Sequence, residues 1–444
     1  MKKFTLSVLV CLVCLVSVLF SYYMTRETEV QNLSVENVYE MACASGYNKT
    51  LTEFIDEFRG AVGADGKGVK HAEINSDGHL IITYTDNTSV DAGAISVGSI
   101  TVNADMSGEA INRALSSSVS IFAERSDGNF NTGGGIIYKL DREAGTAIIV
   151  TNNHVLYDNS VDAYIPNGNI TAYLYGMEYP AFAMSCEYIG GSFSTDIAVI
   201  RIRSNEIIKN SSATAAQIFD SELVSVLDRV VAVGNPGGNG LSLVSGAISM
   251  ESENRYLNIG ASGGRIFMRV IRFDASVNKG NSGGGLYDSL GRLVGIVTAR
   301  DSSSDGVSFA IPSNVIVSIA DNILHYCGDG ALQKGKLIKL GLGLEVRGAT
   351  VYYDEASDRT VRVQEVFVKS VDHGSSAEAM GLIVGDRILS VTVDGRECIV
   401  TAVHQAPEMN YLAFEGSTIT YKVLRGSTQM TFTLTVPVGI GDLS

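Results

Sequence analysis

The chain has 444 residues, enough for two or three domains with complete hydrophobic cores, and its 45% hydrophobic content with only 6 prolines argues against extensive disorder. The formal net charge is −15, and no run of lysine or arginine accompanies aromatic residues, which argues against nucleic acid as a partner. The 6 cysteines are scattered at spacings that match neither a disulfide framework nor a zinc site, so we predict no metal and no cofactor.

The N-terminal segment, residues 1–24, has the features of a membrane anchor. Met1-Lys2-Lys3 precede an apolar run over residues 4–20, which is at the short end of what spans a bilayer as a helix. A cleaved secretory signal peptide begins in the same way. Because no small-x-small cleavage site follows closely, the sequence favours an uncleaved transmembrane signal anchor that contacts the membrane through residues 4–23. The two lysines then keep the N-terminus cytoplasmic, so we expect a single-pass cell-membrane protein whose remaining residues are extracytoplasmic.

Residues 25–109 are predicted to form a small α+β spacer or docking module. Thr50-Leu51-Thr52-Glu53 is a capping box that begins an amphipathic helix. Residues 63–98 then show short β-branched runs separated by Asp77-Gly78 and Asp86-Asn87, a pattern typical of a hairpin or small meander. We find no chemical motif in this module.

From residue 110 onward, short apolar runs alternate with turns. Many strands with few helical patterns are typical of a barrel or sandwich. The predicted strands cover residues 118–123, 135–140, 147–151, 170–175, 197–202, 229–233, 243–250, 267–273, 293–298 and 307–311.

A serine embedded in glycines, Asn278-Lys279-Gly280-Asn281-Ser282-Gly283-Gly284-Gly285-Leu286, has the composition of a nucleophile loop. A serine hydroxyl needs a neighbouring base, and the carbonyl that it attacks develops an oxyanion that must meet preorganised donors. Glycines let the amides of Gly280 and Ser282 turn towards one point without a Cβ in the way. Taken alone, the stretch is equally typical of a glycine-rich hairpin turn.

Two further residues complete a candidate catalytic set. His154 stands at the end of the apolar run that begins at Ile148, and Asp196 stands at the head of another run that ends at Ile200. By itself, such a histidine is usually a surface or core residue, and such an aspartate is usually a turn former. Together with Ser282 they follow the order His, Asp, Ser, which is the order of the catalytic triad in chymotrypsin.

The same serine also satisfies G-x-S-x-G, the nucleophile elbow of α/β-hydrolases. An elbow leads directly into a helix, whereas residues 286–297 have the pattern of strand, turn, strand. That class also needs its acid and histidine after the serine, and the later histidines, His325, His373 and His404, lie in none of its motifs. The chymotrypsin-type interpretation is therefore favoured.

Five motifs in order, TNNHV, TDIAVI, AVGNPGG, GNSGG and FAIPSN, resemble the protease domain of the HtrA/Deg family of trypsin-like serine proteases over residues 110–320. The resemblance implies a chymotrypsin-like domain over residues 110–327, with two six-stranded β-barrels and the triad in the cleft between them. It assigns His154 as general base, Asp196 as its orienting partner and Ser282 as nucleophile. The amides of Gly280 and Ser282 would form the oxyanion hole.

The chain departs from the family at Lys279 and Gly285, where such proteases usually carry proline. The departures predict a nucleophile loop that is less rigid in its free state. No acidic residue is positioned to receive a lysine or arginine of the substrate, since Asp301 and Asp305 flank a serine-rich loop typical of a solvated surface. By resemblance we expect a specificity pocket for small or medium aliphatic side chains.

Residues 331–440 are predicted to form a PDZ domain that begins after the break at Gly328-Asp329-Gly330. Residues 339–346 resemble a carboxylate-binding loop with its following strand, and residues 373–389 match the PDZ helix and turn. Leu342, Gly343 and Leu344 are assigned to a peptide C-terminal carboxylate, because glycines let amides converge on it and the next strand accepts an added β-strand.

The expected protein is thus mainly β: a membrane-anchored extracytoplasmic serine endopeptidase that cleaves misfolded or regulatory proteins by acyl-enzyme chemistry. Its PDZ domain would bind peptide C-termini, and the resemblance adds a possible homotrimer. The alternative is a catalytically idle, chaperone-like protein that uses the PDZ groove to hold polypeptides without cutting them.

Overall fold

The computed structural model describes residues 69–74, 79–94, 106–259, 265–300, 306–327, 337–355 and 359–437. The chain divides into two compact units, residues 1–102 and 103–444. The predicted anchor at residues 1–24 and the predicted helix that begins near Thr50 lie outside the described residues. Within the ranges given above, no helix is long and apolar enough to cross a membrane.

The first unit contains a three-stranded antiparallel meander formed by β1 (Val69–Ile74), β2 (His79–Tyr84) and β3 (Ser89–Ala94). The turn between β2 and β3 lies at the predicted Asp86-Asn87 pair. Asn87 adopts φ 64°, a left-handed conformation that asparagine tolerates, and its amide donates to Tyr84 O at 2.9 Å. The predicted hairpin or meander is therefore present.

In the second unit, the N-terminal barrel is built from strands β4 to β12. Its main sheet has the order β10-β9-β4-β5-β6-β12-β11, and β7 and β8 form a separate two-stranded ribbon. The strands are β4 (Ser118–Glu124), β5 (Phe130–Asp141), β6 (Thr146–Asn152), β7 (Tyr157–Asp158), β8 (Ala163–Tyr164), β9 (Ile170–Leu174), β10 (Met184–Ser185), β11 (Glu187–Ser192) and β12 (Ile197–Ile202).

This sheet has seven strands where six were expected, and the reason is a bend at Cys186. β10 pairs with β9 at one edge of the sheet, β11 pairs with β12 at the other, and only Cys186 separates β10 from β11. The Cys186 amide donates to Ile170 O at 2.9 Å, so the bent segment connects the two edges. The expected sixth strand is present as two short strands, and the sheet curls around a core that includes Ile121, Ile149 and Ile200.

The second barrel is closed, with the order β13-β14-β15-β18-β17-β16. β14 extends eight residues beyond the predicted end at Met250. The prediction missed this continuation because it carries polar side chains and lacks the apolar run on which the prediction depended. The strands are β13 (Arg229–Gly234), β14 (Ser242–Asn258), β15 (Arg265–Phe273), β16 (Gly285–Asp288), β17 (Leu293–Arg300) and β18 (Ser308–Pro312).

In the described part of this unit, three α-helices flank the barrels: α1 (Gly108–Ser116), α2 (Glu206–Asn210) and α3 (Ser313–Cys327). α1 begins after Ser107, whose Oγ accepts from the Ala110 amide, as an N-cap should. α3 follows the last strand of the second barrel and buries Ile319 and Ile323 in a core shared with residues of both barrels. This apolar contact fixes the two barrels relative to each other, which matters because the candidate site draws residues from both.

The C-terminal domain is a sheet of order β19-β20-β21-β23-β24, with β22 paired to β21, and two short helices. β19 lies at the edge of the sheet, as expected of a strand that accepts a peptide. Pro407 lies in the first turn of α5, where it is tolerated. The elements are β19 (Leu342–Asp354), β20 (Arg359–Val371), α4 (Ser376–Met380), β21 (Arg387–Val393), β22 (Arg396–Ile399), α5 (Gln405–Asn410), β23 (Thr418–Arg425) and β24 (Thr428–Thr435).

A buried charge cluster joins this domain to the second barrel. The Arg269 side chain is only 5% exposed, and its guanidinium contacts Glu222 Oε1 at 2.7 Å and Glu408 Oε2 at 2.8 Å. His404 Nε2 lies 3.4 Å from Glu222 Oε2. Burial, opposed by the charge of Arg269, raises the pKa of the Glu408 carboxyl. The two carboxylates and His404 are close enough to hold a metal ion, but Arg269 already supplies the positive charge between them.

We predict that Arg269→Ala lowers the free energy of unfolding by about 3 kcal/mol, because it leaves two carboxylates without their cation at a desolvated junction. Denaturant titration of the purified protein measures this change. Lys209→Ala is the control, since it removes one partner of an exposed pair with Glu206 and should cost less than about 1 kcal/mol. Equal losses in the two variants would contradict a structural role for the cluster.

Candidate active site

The structure brings His154 and Asp196 into direct contact. His154 lies in a 3-10 helix, Asn153–Leu156, directly after β6, and its Nδ1 is 2.9 Å from Asp196 Oδ2 and 3.0 Å from Oδ1. The His154 main-chain amide also donates to Asp196 Oδ1 at 3.0 Å. The carboxylate thus fixes both the position and the orientation of the imidazole, leaving Nε2 as the nitrogen available for chemistry.

The backbone at Asp196 is held in a strained conformation. Its φ is 54°, in the left-handed region that few non-glycine residues adopt. Asn152 Nδ2 and the Asn153 amide both donate to the Asp196 carbonyl oxygen, at 3.0 and 3.1 Å. These bonds hold a conformation that turns the carboxylate towards His154.

Thr298 is a site residue that the sequence analysis missed. Its Oγ1 donates to Asp196 Oδ2 at 2.7 Å, and it is 3% exposed. The residue is the sixth of β17 and reaches the first barrel from the second. The one feature of the sequence that could have indicated Thr298 is its position at the end of the apolar run over residues 293–298. A threonine at that position is equally typical of an ordinary strand with no role in a site.

Ser282 lies in the loop before β16, on the second barrel. Its Oγ donates to the Thr298 carbonyl oxygen at 3.2 Å, and its own carbonyl oxygen accepts from the Gly134 amide at 2.8 Å. Ser282 and His154 line the same cleft, which has a volume of about 580 Å³. The Ser282 hydroxyl must therefore rotate away from Thr298 O before it can donate to the His154 ring. In enzymes without substrate, catalytic hydrogen bonds are often not yet formed.

The two amides expected to form an oxyanion hole are available. Hydrogen bonds from the Asn235 and Gly237 amides to the carbonyl oxygens of Gly280 and Lys279, both at 3.0 Å, fix the peptide groups on either side of Gly280. Among the residues described, the amides of Gly280 and Ser282 donate to no protein acceptor. Gly280 has φ 99°, and a Cβ there would lie 2.0 Å from Asn235 O, so only glycine fits.

The nucleophile loop was expected to be less rigid at Gly285, but the Tyr287 ring packs against this residue and opposes that effect. A Cβ at Gly285 would lie 2.3 Å from the Tyr287 ring, so this ring occupies the space that a proline would need. The Tyr287 hydroxyl is within 2.8 Å of Ser118 Oγ and 3.2 Å of Ser117 Oγ. Burial raises the pKa of the Tyr287 phenol to about 12, so the hydroxyl keeps its proton at neutral pH.

The residues assigned to a peptide carboxylate begin the edge strand β19. Leu342 and Leu344 pack partly against the core of the C-terminal domain, and Gly343 lies between them. Gly341, just before them, has φ 75°, and its carbonyl oxygen accepts from the Asp372 amide at 2.9 Å. The structure therefore places all three predicted residues together at the start of an edge strand, about a turn that requires glycine.

Comparison with known proteins agrees with this two-domain architecture. The trypsin-like peptidase domain family matches residues 133–296, and the PDZ domain family matches residues 332–410. Serine protease Do-like HtrA of Bacillus subtilis is 30% identical over 318 residues, which are 69% of this chain and 63% of that protein. Periplasmic serine endoprotease DegP of Escherichia coli is 31% identical over 264 residues, which are 58% of this chain and 48% of that protein.

Among solved structures, an HtrA-type protease AlgW with a tripeptide is 24% identical with a TM-score of 0.46, covering 74% of this chain and 96% of that one. The chain spans less than two thirds of the length of the curated relatives named above. The matched pair of domains and the motifs around His154, Asp196 and Ser282 nevertheless agree on one family. The chain therefore combines a trypsin-like peptidase domain with a PDZ domain, and it is similar to serine proteases of the HtrA/Deg family.

Proposed function

We propose that the protein is a serine endopeptidase that cleaves misfolded or regulatory proteins through an acyl-enzyme. The observation that carries the proposal is the buried Asp196 carboxylate, which holds His154 at 2.9 Å in the cleft that also contains Ser282. A nucleophile, a base and an oriented third group within one cleft form the arrangement that acyl transfer requires.

The reaction follows from these positions. Ser282 Oγ adds to the carbonyl carbon of the scissile bond while His154 Nε2 takes the hydroxyl proton. The carbonyl oxygen becomes an oxyanion and accepts from the amides of Gly280 and Ser282. When the C–N bond breaks, His154 returns the proton to the leaving amine and an ester remains on Ser282. Water then attacks the ester by the same route, and Asp196 stabilises the imidazolium in both halves.

The C-terminal domain would bind peptide C-termini at the start of β19, with an added β-strand along the free edge of the sheet. Substrate C-termini and regulatory peptides are the partners that fit this geometry. Family resemblance supports assembly as a homotrimer. The peptide partners and the homotrimer are thus parts of the proposed function.

The remaining parts of the proposal concern location. The basic N-terminus and the apolar run over residues 4–20 support an uncleaved anchor, with the protease and PDZ domains on the extracytoplasmic side of the cell membrane. An anchored protease of this kind would act on polypeptides at the outer face of that membrane.

Ser282→Ala and His154→Ala should each lower kcat for unfolded protein by at least about 10⁴-fold, because nucleophile and base act as one unit. Hydrolysis of an unfolded protein by the purified enzyme measures the loss. Ser289→Ala, in the exposed turn after β16, is the matched control and should keep the parent rate. A Ser282→Ala rate above a few per cent of the parent would disprove the assignment.

Thr298→Val should lower kcat by about ten- to a hundred-fold, because it removes one hydrogen bond to a charged, buried carboxylate and keeps the side-chain shape. The Thr298 carbonyl group, which accepts from Ser282, is retained. Steady-state kinetics with a peptide substrate measures the effect, and KM should change little. An unchanged kcat would mean that His154 and the backbone alone hold Asp196.

The anchor predicts that protein from the native host keeps Met1 or Lys2 at its N-terminus and stays in the membrane fraction after carbonate extraction. External protease should digest it in intact cells. A soluble form that begins between residues 21 and 44 would instead establish a cleaved signal peptide.

The alternative, an idle polypeptide-binding protein, shares the fold but needs no working triad. Covalent labelling by a fluorophosphonate separates the two, since the probe reacts only with an activated serine. We expect labelling of the parent and none of Ser282→Ala. Failure of the parent to react, with or without added C-terminal peptides, would favour the idle protein.

A further inference from the structure

The candidate cleft carries an unusual charge for this protein. Arg125 and Lys279 both line it, and among the described residues of its lining there is no aspartate or glutamate. The whole chain has a formal net charge of −15. The lining therefore presents two cations on an acidic protein, and a cation in a cleft raises the local concentration of acidic ligands.

The lining of the cleft has two chemically different parts. Ile259, Val277 and Val297 are apolar, and each is no more than 5% exposed. At the start of β5, Phe130 is 55% exposed and the polar residues Asn131 and Thr132 follow it. If the substrate side chain before the scissile bond packs against the apolar residues, the residues after the bond are left to the start of β5.

The Lys279 backbone lies near the start of β5. The Gly237 amide donates to Lys279 O at 3.0 Å. A Cβ on the next residue, Gly238, would lie 3.1 Å from Thr132 Cγ2. The loop Gly237–Gly238 thus lies close to both the Lys279 backbone and Thr132, so Lys279 is near the part of the lining that we assign to residues after the scissile bond.

Arg125 and Lys279 differ in how freely each can pair with an acidic group of a substrate. Arg125 is paired with Asp127 at 3.0 Å, so part of its charge is already balanced. Lys279 is exposed, and within the described ranges it has no carboxylate partner. Its ammonium group sits on a flexible stem directly before Gly280, next to the proposed oxyanion hole, and can follow a substrate side chain.

We propose that Lys279 is a specificity-determining residue that favours substrates with an aspartate or glutamate directly after the scissile bond. The inference rests on the proposed protease function and adds a substrate class to it. The net negative charge of the protein repels acidic peptides in general, so a preference for them has to come from this local cation. A partly solvated ion pair of this kind changes kcat/KM by about two- to five-fold.

Two peptides that differ only by Glu or Gln at the first position after the scissile bond test the proposal on the full chain. The parent should cleave the Glu peptide with a kcat/KM two to five times higher. The ratio should fall to about one in Lys279→Gln, invert in Lys279→Glu and persist in Lys279→Arg. Raising the salt concentration should reduce the parent's preference, because salt screens exposed charges.

Lys369→Gln is the control, since it removes an exposed lysine of β20 outside the cleft and should keep the parent ratio. Equal kcat/KM values for the two peptides in the parent, or the same ratio in the parent and Lys279→Gln, would overturn the proposal and leave the protease function intact. If the parent cleaves neither peptide and does not react with a fluorophosphonate, the protease function fails instead.

If the parent reacts with the fluorophosphonate but cleaves neither peptide, peptide binding measures the selectivity of the cleft instead. Fluorescence anisotropy with Ser282→Ala measures the affinity for each peptide, and Ser282→Ala/Lys279→Gln supplies the comparison. Tighter binding of the Glu peptide that disappears with Lys279→Gln supports the assignment. Equal affinities overturn it.

Discussion

The buried carboxylate of Asp196 is the group on which the site depends. A carboxylate that is 2% exposed is stable only if donors surround it. Here the donors are the His154 amide and ring and the Thr298 hydroxyl, and they come from two barrels. The two barrels must therefore pack correctly for His154 to be correctly oriented. Any shift between the barrels would leave a buried charge with fewer partners.

Close backbone contact between the barrels makes this alignment possible. A Cβ at Gly134 would lie 2.5 Å from Gly284 Cα, and one at Gly283 would lie 2.3 Å from Gly134 O. These glycines let β5 pass directly against the nucleophile loop, where the Gly134 amide holds Ser282 O. The glycines around Ser282 thus serve the contact between barrels as well as the proposed oxyanion hole, and the two demands together would explain why the loop contains so many.

Much of the fold and most of the site could be predicted from the sequence, because both depend on local patterns. Apolar runs separated by turns located the strands of the barrels, and the motifs around His154, Asp196 and Ser282 located three residues that the fold brings to one cleft. The features that were not predicted depend on tertiary contact. The bend at Cys186, the long polar continuation of β14 and the hydroxyl of Thr298 leave no local signal, since each is defined by the strand or carboxylate that it meets. Arg269 is similar, because nothing near it in sequence marks it as a buried junction residue.

The difference between local sequence pattern and tertiary contact also explains the effect of Gly285 on the nucleophile loop. Comparison with the family pattern treats Gly285 as the loss of a proline, and by itself such a loss frees the chain. In the fold, the missing side chain makes room for the Tyr287 ring, whose hydroxyl meets Ser117 and Ser118 near the end of α1. Tyr287 is fully buried, so the ring adds apolar packing to these hydrogen bonds. Gly285 and Tyr287 therefore act as a pair, and a proline at position 285 would displace the ring that now stabilises this side of the loop.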